Sequence, residues 1–277
     1  MSILLEKLKA YIPYVIGLFI IACIVFYPEL QGKKLGAHDS ISNICATAEN
    51  KIYEEKGENI LWTNRIFGGM PTFTTSGIPS GNFLTTLHYM PVKSNIYIYF
   101  ICLLSIFYAL SLMKIDKTIA FVLSVAFGLN VWVLDSLWAF HVTKIMTYAT
   151  LSIVVAAFIS YMLYGGLIRL ISIGIGLTLC IGANHVQVTY YGAILCTIIG
   201  VYFFIDAIKT GSVAAFFKKI GLILCLVCLS VISNISLLYF LEDYNRDTMR
   251  GGKSEITKVG ANSTSEKGGL DINYAYS

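Results

Sequence analysis

Seven apolar runs divide this chain, and the polar residues between them fall in blocks rather than alternating with them. The runs extend from about Tyr11 to Tyr27, Asn95 to Met113, Ile119 to Leu134, Ile145 to Tyr164, Leu170 to Ala183, Tyr190 to Ile205 and Ile220 to Phe240. A run without a polar period is apolar on every face of whatever it forms. In a bilayer its backbone hydrogen bonds must close within the segment, so each run predicts a helix of roughly 20 residues. The expected fold is therefore all-α: a polytopic transmembrane bundle of about seven spans. The first run is preceded by Lys7 and Lys9, and Pro28-Glu29-Leu30 after it is a poor cleavage site. It reads as a retained anchor rather than a signal peptide.

The blocks between the runs are unequal. A polar segment from Glu29 to Ser94 separates the first two spans, and a polar, glycine-rich tail follows Phe240. Lys7 and Lys9, Lys114 and Lys117, Arg169, and Lys209, Lys218 and Lys219 all fall on one side of a seven-span chain. Positive charge in short loops marks the cytoplasmic side. The N-terminus is thus expected in the cytoplasm, with the 29–94 loop, the His141 and His185 corners and the C-terminal end outside. Residues 1–240 form the expected transmembrane domain, and 241–277 an external loop or the start of a further C-terminal region. The tail has too little apolar content to fold alone, so the chain is expected to be a piece, or a shortened relative, of a longer membrane protein.

Composition agrees. Hydrophobic residues make up 56% of the chain and charged residues 13%, with a mean hydropathy of +0.72; soluble domains carry about 25% charged residues. A net charge of +4 is too small to argue for a nucleic-acid partner. Six of the seven cysteines lie in apolar stretches and only Cys45 falls in a polar loop, which leaves no external disulfide framework. The Cys225–Cys228 pair sits in a continuous apolar run with no second ligand pair, as small membrane-helix side chains do. The histidines (His38, His88, His141, His185) show neither i, i+4 pairing nor carboxylate-rich spacing. No cofactor is called for, although a divalent metal stays open. Walker, GxGxxG and GxSxG patterns are lacking, which disfavours ATP, NAD and serine-hydrolase chemistry.

Five polar clusters remain as candidate chemistry. In "GAHDS" (Gly36 to Ser40), Asp39 follows His38 and on spacing alone caps a short amphipathic helix starting near Ser40. In "WTNRIFGGMPTF" (Trp62 to Phe73), Gly68-Gly69 permits a tight turn and Pro71 fixes its exit, while Arg65 is placed to face phosphate at a sugar or lipid-head platform. His141 and Lys144 stand at a span end, where snorkelling lowers the roughly 2.5–3.5 kcal/mol a lysine costs at mid-bilayer. They either bind a donor phosphate or, for Lys144, pair with Asp135. Asn184, His185 and Gln187 interrupt an apolar stretch and suit a corner lining a polar cavity. Arg250 and Lys253, in "RGGKSE", contact phosphate or are solvated loop charges.

Taken in order, "WTNRIFGGMPTF", "HVTKIMTYA" (His141 to Ala149), "ANHVQVTYY" (Ala183 to Tyr191) and "RGGKSE" make the chain resemble the N-terminal part of the YfhO-like bacterial membrane proteins, placed in the GT-C glycosyltransferase superfamily. The resemblance runs from the first span to the tail. It implies an inverting transfer of a sugar from a polyprenyl-phosphate donor to a cell-envelope acceptor at the outer face of the bacterial cytoplasmic membrane. Asp39 would be the general base, since such enzymes are similar in using a first-loop carboxylate, although this loop shows one acidic residue where many relatives carry two. His38, Arg65, His141, Lys144, Asn184, His185, Gln187, Arg250 and Lys253 would bind substrate. Partners would be the lipid-linked sugar, membrane lipid and the acceptor. A lipid or glycolipid flippase is the competing expectation, against which stands the want of a matching broken helix in the first three spans; an inactive fragment is the third.

Overall fold

A computed structural model describes residues 9–33, 38–58, 60–66, 68–72, 82–84, 94–246 and 248, with side chains of 38–40 left aside. The elements are α1 (Ile12–Val25), α2 (Tyr27–Leu30), α3 (His38–Ala46), α4 (Ala48–Glu54), β1 (Trp62–Thr63), β2 (Met70–Pro71), α5 (Asn95–Leu112), α6 (Lys117–Gly128), α7 (Val131–Trp138), α8 (Val142–Tyr164), α9 (Leu167–Gly182), α10 (Val186–Lys209), α11 (Val213–Ser233) and α12 (Ile235–Arg246). The fold is overwhelmingly helical, as the apolar runs require. The strands are two residues each and pair antiparallel, Trp62 with Pro71 and Thr63 with Met70.

Among the described residues, α5, α8, α10 and α11 are each long and apolar enough to cross a membrane. The α6–α7 pair counts as a fifth span if its two halves are taken together, and they are bent by 52°. The apolar helices α1 and α9 are shorter, at 14 and 16 residues; at 1.5 Å per residue they reach about 21 and 24 Å against a hydrocarbon core of about 30 Å. Two expected continuous runs are thus interrupted. The third breaks after Gly128, because Asn130 takes the N-cap of α7 and accepts the Trp132 N–H at 2.8 Å. The seventh breaks at Asn234, which ends α11. Compactness divides the chain there, into Met1–Asn234 and Ile235–Ser277, six residues before the expected boundary at 240. In the second unit, α12 carries an Arg246–Glu242 ion pair at 3.3 Å.

In the first unit α8 is central, with two thirds of its apolar window buried (67%) against 11% for α10 and 6% for α11. It packs on α5, α9 and α10. A second core, against α1, gathers Leu18, Ile98, Tyr99, Leu103, Leu137 and Ile145. Apolar contact alone specifies little between helices in lipid, and small or polar residues mark the close approaches. Gly17 admits the Phe121 ring, and Gly192 of α10 admits Leu151 of α8. The Tyr108 and Ser172 hydroxyls, 2.6 Å apart, join α5 to α9. Between α9 and α11, Thr178 donates to Ser230 at 3.1 Å and Asn234 donates to the Thr178 carbonyl at 3.1 Å.

These contacts also set direction. Along α8 and α10, Leu151 meets Gly192 and the Phe158 ring lies 6.4 Å from Phe203, so the two helices run parallel. At one end of the unit, Lys114 sits 3.8 Å and Arg169 5.2 Å from the Tyr164 ring, Lys117 lies 5.0 Å from the Tyr11 ring, and Lys219 donates to the Met162 carbonyl. Lys114, Lys117, Arg169 and Lys219 thus share an end. The N-termini of α8 and α10 share the other.

Filling the α8–α10 approach gives a direct check. Gly192→Leu overpacks Leu151 and is expected to cost about 1–3 kcal/mol, lowering the unfolding temperature in detergent. Gly221→Ala, which meets open space in the interior of α11, does not lower it. Equal unfolding temperatures for Gly192→Leu and the parent would show that α8 and α10 do not touch there.

Candidate functional site

Two corners at that far end are built alike. After α7 the chain turns through Phe140 in the left-handed region (φ 63). The His141 N–H reaches the Ser136 carbonyl at 2.8 Å and the Phe140 N–H the Leu137 carbonyl at 3.1 Å, the paired bonds of a Schellman turn. A bulky residue is uncommon at positive φ; here its ring packs on the bundle core, which holds it. After α9 the turn residue is Asn184 (φ 58), whose N–H bonds the Ile181 carbonyl at 3.0 Å. Asparagine is one of the few side chains that enter this region readily. Each turn is followed by a histidine at the N-cap of the next helix, His141 for α8 and His185 for α10.

Because α8 and α10 are parallel neighbours, the two corners are juxtaposed. His185 Nδ1 accepts the Val188 N–H at 3.4 Å, so Nε2 carries the proton when the ring is neutral. Partial burial holds the His185 imidazole below its usual value; its backbone hydrogen bond opposes this, and the nearby Lys144 and His141 charges add to the depression. His141, Lys144 and His185 therefore share one electrostatic neighbourhood. Lys144 lies 4.9 Å from the Trp132 ring centroid, and that ring meets Tyr148 edge-on at 4.6 Å. The alternative of an Asp135–Lys144 ion pair is not formed; Asp135 is exposed and the aromatic face takes its place. Gln187 is exposed and donates to the Tyr191 hydroxyl at 2.9 Å.

The first loop is organised around a different carboxylate. Glu49 of α4 accepts the Thr63 hydroxyl at 2.7 Å and the Asn64 N–H at 3.1 Å. The Thr63 bond, then the Asn64 bond, hold the Glu49 carboxyl below its usual range, with a lesser contribution from Arg65. Arg65 is exposed beside this carboxylate. Gly69 (φ 130) lies so close to the Trp62 ring that a Cβ would fall 2.7 Å from its Nε1, so glycine is a packing requirement there, whereas at Gly68 the positive φ (77) is what favours it. Asp39 lies inside the first turn of α3, which begins at His38, rather than at its cap. The side chains of His38 and Asp39 lie outside the described residues, as do Arg250 and Lys253 altogether. No group of three or more His, Cys, Asp or Glu fit for a metal occurs among the described residues.

One residue of this end went unnoticed in the sequence. Glu29 of α2 accepts the N–H groups of Asn95 and Ile96, each at 3.2 Å, and so caps α5 from across the loop. Its signal was its position directly after the first span.

The architecture and the polar corner define the class: an α-helical, multi-pass membrane protein with a cluster of cationic and imidazole groups at one end of its bundle. Compared with protein-family models, curated proteins and solved structures, the chain matches none.

The electrostatic coupling is measurable. In the detergent-solubilised protein with labelled histidine, His185 should titrate below its usual 6.5. Replacing Lys144 by Met should raise that midpoint without restoring it fully, because burial is the larger cause. A midpoint unmoved by Lys144→Met would show that the lysine does not face the ring.

Proposed function

We propose that this chain is the membrane part of a glycosyltransferase that moves a sugar from a polyprenyl phosphate to a cell-envelope acceptor outside the bacterial cytoplasmic membrane. The observation that carries the reading is the convergence of Lys144, His141 and His185 on the N-termini of two parallel helices. A helix N-terminus carries about half a positive charge and unsatisfied N–H donors, and so favours an anion. Two such ends beside a lysine and two imidazoles suit a departing phosphate held at the depth of lipid headgroups. Stabilising the charge on that leaving group would supply most of the rate. The motif order supports a YfhO-like, GT-C type of enzyme, and the cations at the opposite end support an outer placement of the corner.

In the reaction, the acceptor hydroxyl loses its proton to Asp39 as its oxygen bonds to the sugar's anomeric carbon. The bond from that carbon to the phosphate oxygen breaks, and the lipid phosphate leaves with the electron pair. Lys144 neutralises it, and the neutral His185 imidazole donates its Nε2–H to it. In this reading Arg65 and Arg250 assist in phosphate binding, and His38, Asn184, Gln187 and Lys253 in substrate binding.

A flippase is the second reading, favoured by the 52° break between α6 and α7. Broken helices in transporters line the path of a polar substrate. The two readings part on chemistry. Asp39→Asn in the full-length protein should cut sugar transfer by about 10²–10⁴-fold, the usual contribution of a general base, while the donor lipid still binds. Lys144→Met should weaken donor binding as well. Transfer at the parental rate in Asp39→Asn would end the assignment of the base. Lipid translocation without transfer in the parent would favour the flippase.

A further inference from the structure

A cavity of about 300 Å³ opens at the same end of the bundle, between the α1–α2 junction, the start of α5 and the end of α7. None of the residues assigned to sugar transfer lines it. Its apolar wall includes Phe26 and Leu134, and its polar lining is Glu29, Lys33 and Asn95. Trp138 completes it, with 60% of its surface open. The volume lies at the lower end of the range for small-molecule sites.

Three features define what fits. Glu29 is locked in place by its two bonds from the α5 backbone. Each of its oxygens keeps further acceptor capacity, since a carboxylate offers about four lone-pair positions. The α5 N-terminus is already satisfied by this carboxylate, so the cavity is not a vacant anion site. Asn95 contributes an amide oxygen that is buried and has no partner among the described residues, a costly arrangement that an incoming donor would relieve. Trp138 presents a broad indole face. Fixed acceptors beside an open aromatic ring call for a ligand with several O–H donors and an apolar ring face. The apolar wall, at the end of membrane-length helices, calls for that ligand to carry hydrocarbon.

We propose that this cavity binds the sugar headgroup of a glycolipid, its hydroxyls donating to Glu29 and Asn95 Oδ1 and one face of its ring resting on Trp138. Phe26 and Leu134 meet the first carbons of the lipid, and Lys33 balances the charge of Glu29 at the rim. Binding here requires no transfer chemistry and stands independently of the enzymatic reading.

The test is retention of radiolabelled monoglucosyl-dioleoylglycerol by the purified full chain in detergent, with dioleoylglycerol, dioleoylphosphatidylglycerol and water-soluble methyl glucoside as competitors. The glucolipid is expected to bind saturably, with each competitor at least about tenfold weaker. Trp138→Ala and Asn95→Leu should each weaken retention by about tenfold, the scale of one stacking or hydrogen-bonding contact. Trp138→Phe should recover most of the loss, which separates stacking from misfolding, and unfolding temperatures verify the fold of each variant. Parental retention in both Trp138→Ala and Asn95→Leu would overturn the proposal. So would phosphatidylglycerol competing as well as the glucolipid, which would assign the site to a phosphate at Lys33. Methyl glucoside competing equally would remove the lipid from the assignment and overturn it as well.

Discussion

The hydrocarbon layer offers no water to an unpaired peptide group, and this one constraint orders the molecule. Inside an apolar run it compels a helix. At the ends of a run it demands that exposed N–H groups find another partner. Side chains meet that demand at Ser94, Asp116, Asn130 and His185, and Glu29 does so from across the loop. The few polar residues near the ends of this bundle therefore have structural work before any chemical role. His185 shows both at once: its Nδ1 caps α10, and that bond fixes where the ring's remaining proton points.

The same constraint explains what could be read from the chain unaided. Runs such as Ile145 to Tyr164 have one solution, and α8 follows the expectation within a few residues. The break after Gly128 was harder to see. Asn130 interrupts the run only briefly, and nothing local tells a solvated asparagine from one that caps α7. Asn234 was masked likewise by the apolar residues around it, although its amide is fully buried and bonded to α9. Its partner, Thr178, is more than fifty residues distant in sequence. Long-range partners of this kind leave no periodic trace.

The candidate site was legible to a similar depth. Polar residues amid apolar sequence singled out His141, Lys144 and His185, because burying such groups without purpose is costly. Their assembly into one neighbourhood depends on α8 and α10 running parallel, which follows from their order in the chain if each run crosses once. The Trp132 face that holds Lys144 was not legible. An Asp–Lys pair is the simpler guess from spacing, but a lysine near a membrane boundary gains from an aromatic face without desolvating a second charge. Glu29 was hidden by its ordinariness, as one carboxylate among several in a polar loop.

The likeness of the two corners bears on why the charge is concentrated there. Each corner ends a helix with a left-handed turn, which reverses the chain in few residues and places the next helix start beside the last helix end. Had either turn been a long loop, the N-termini of α8 and α10 would not be held in register by it. With short turns, the packing of Leu151 against Gly192 fixes their separation deep in the bundle and the turns carry that spacing to the surface. Like charges brought together in this way repel, and the depression at His185 is partly that repulsion. Bundle packing sustains a local excess of positive potential that an anion would relieve. The corner's affinity for an anion thus depends on helix contacts well below it, and loosening those contacts should weaken anion binding without touching a charged residue.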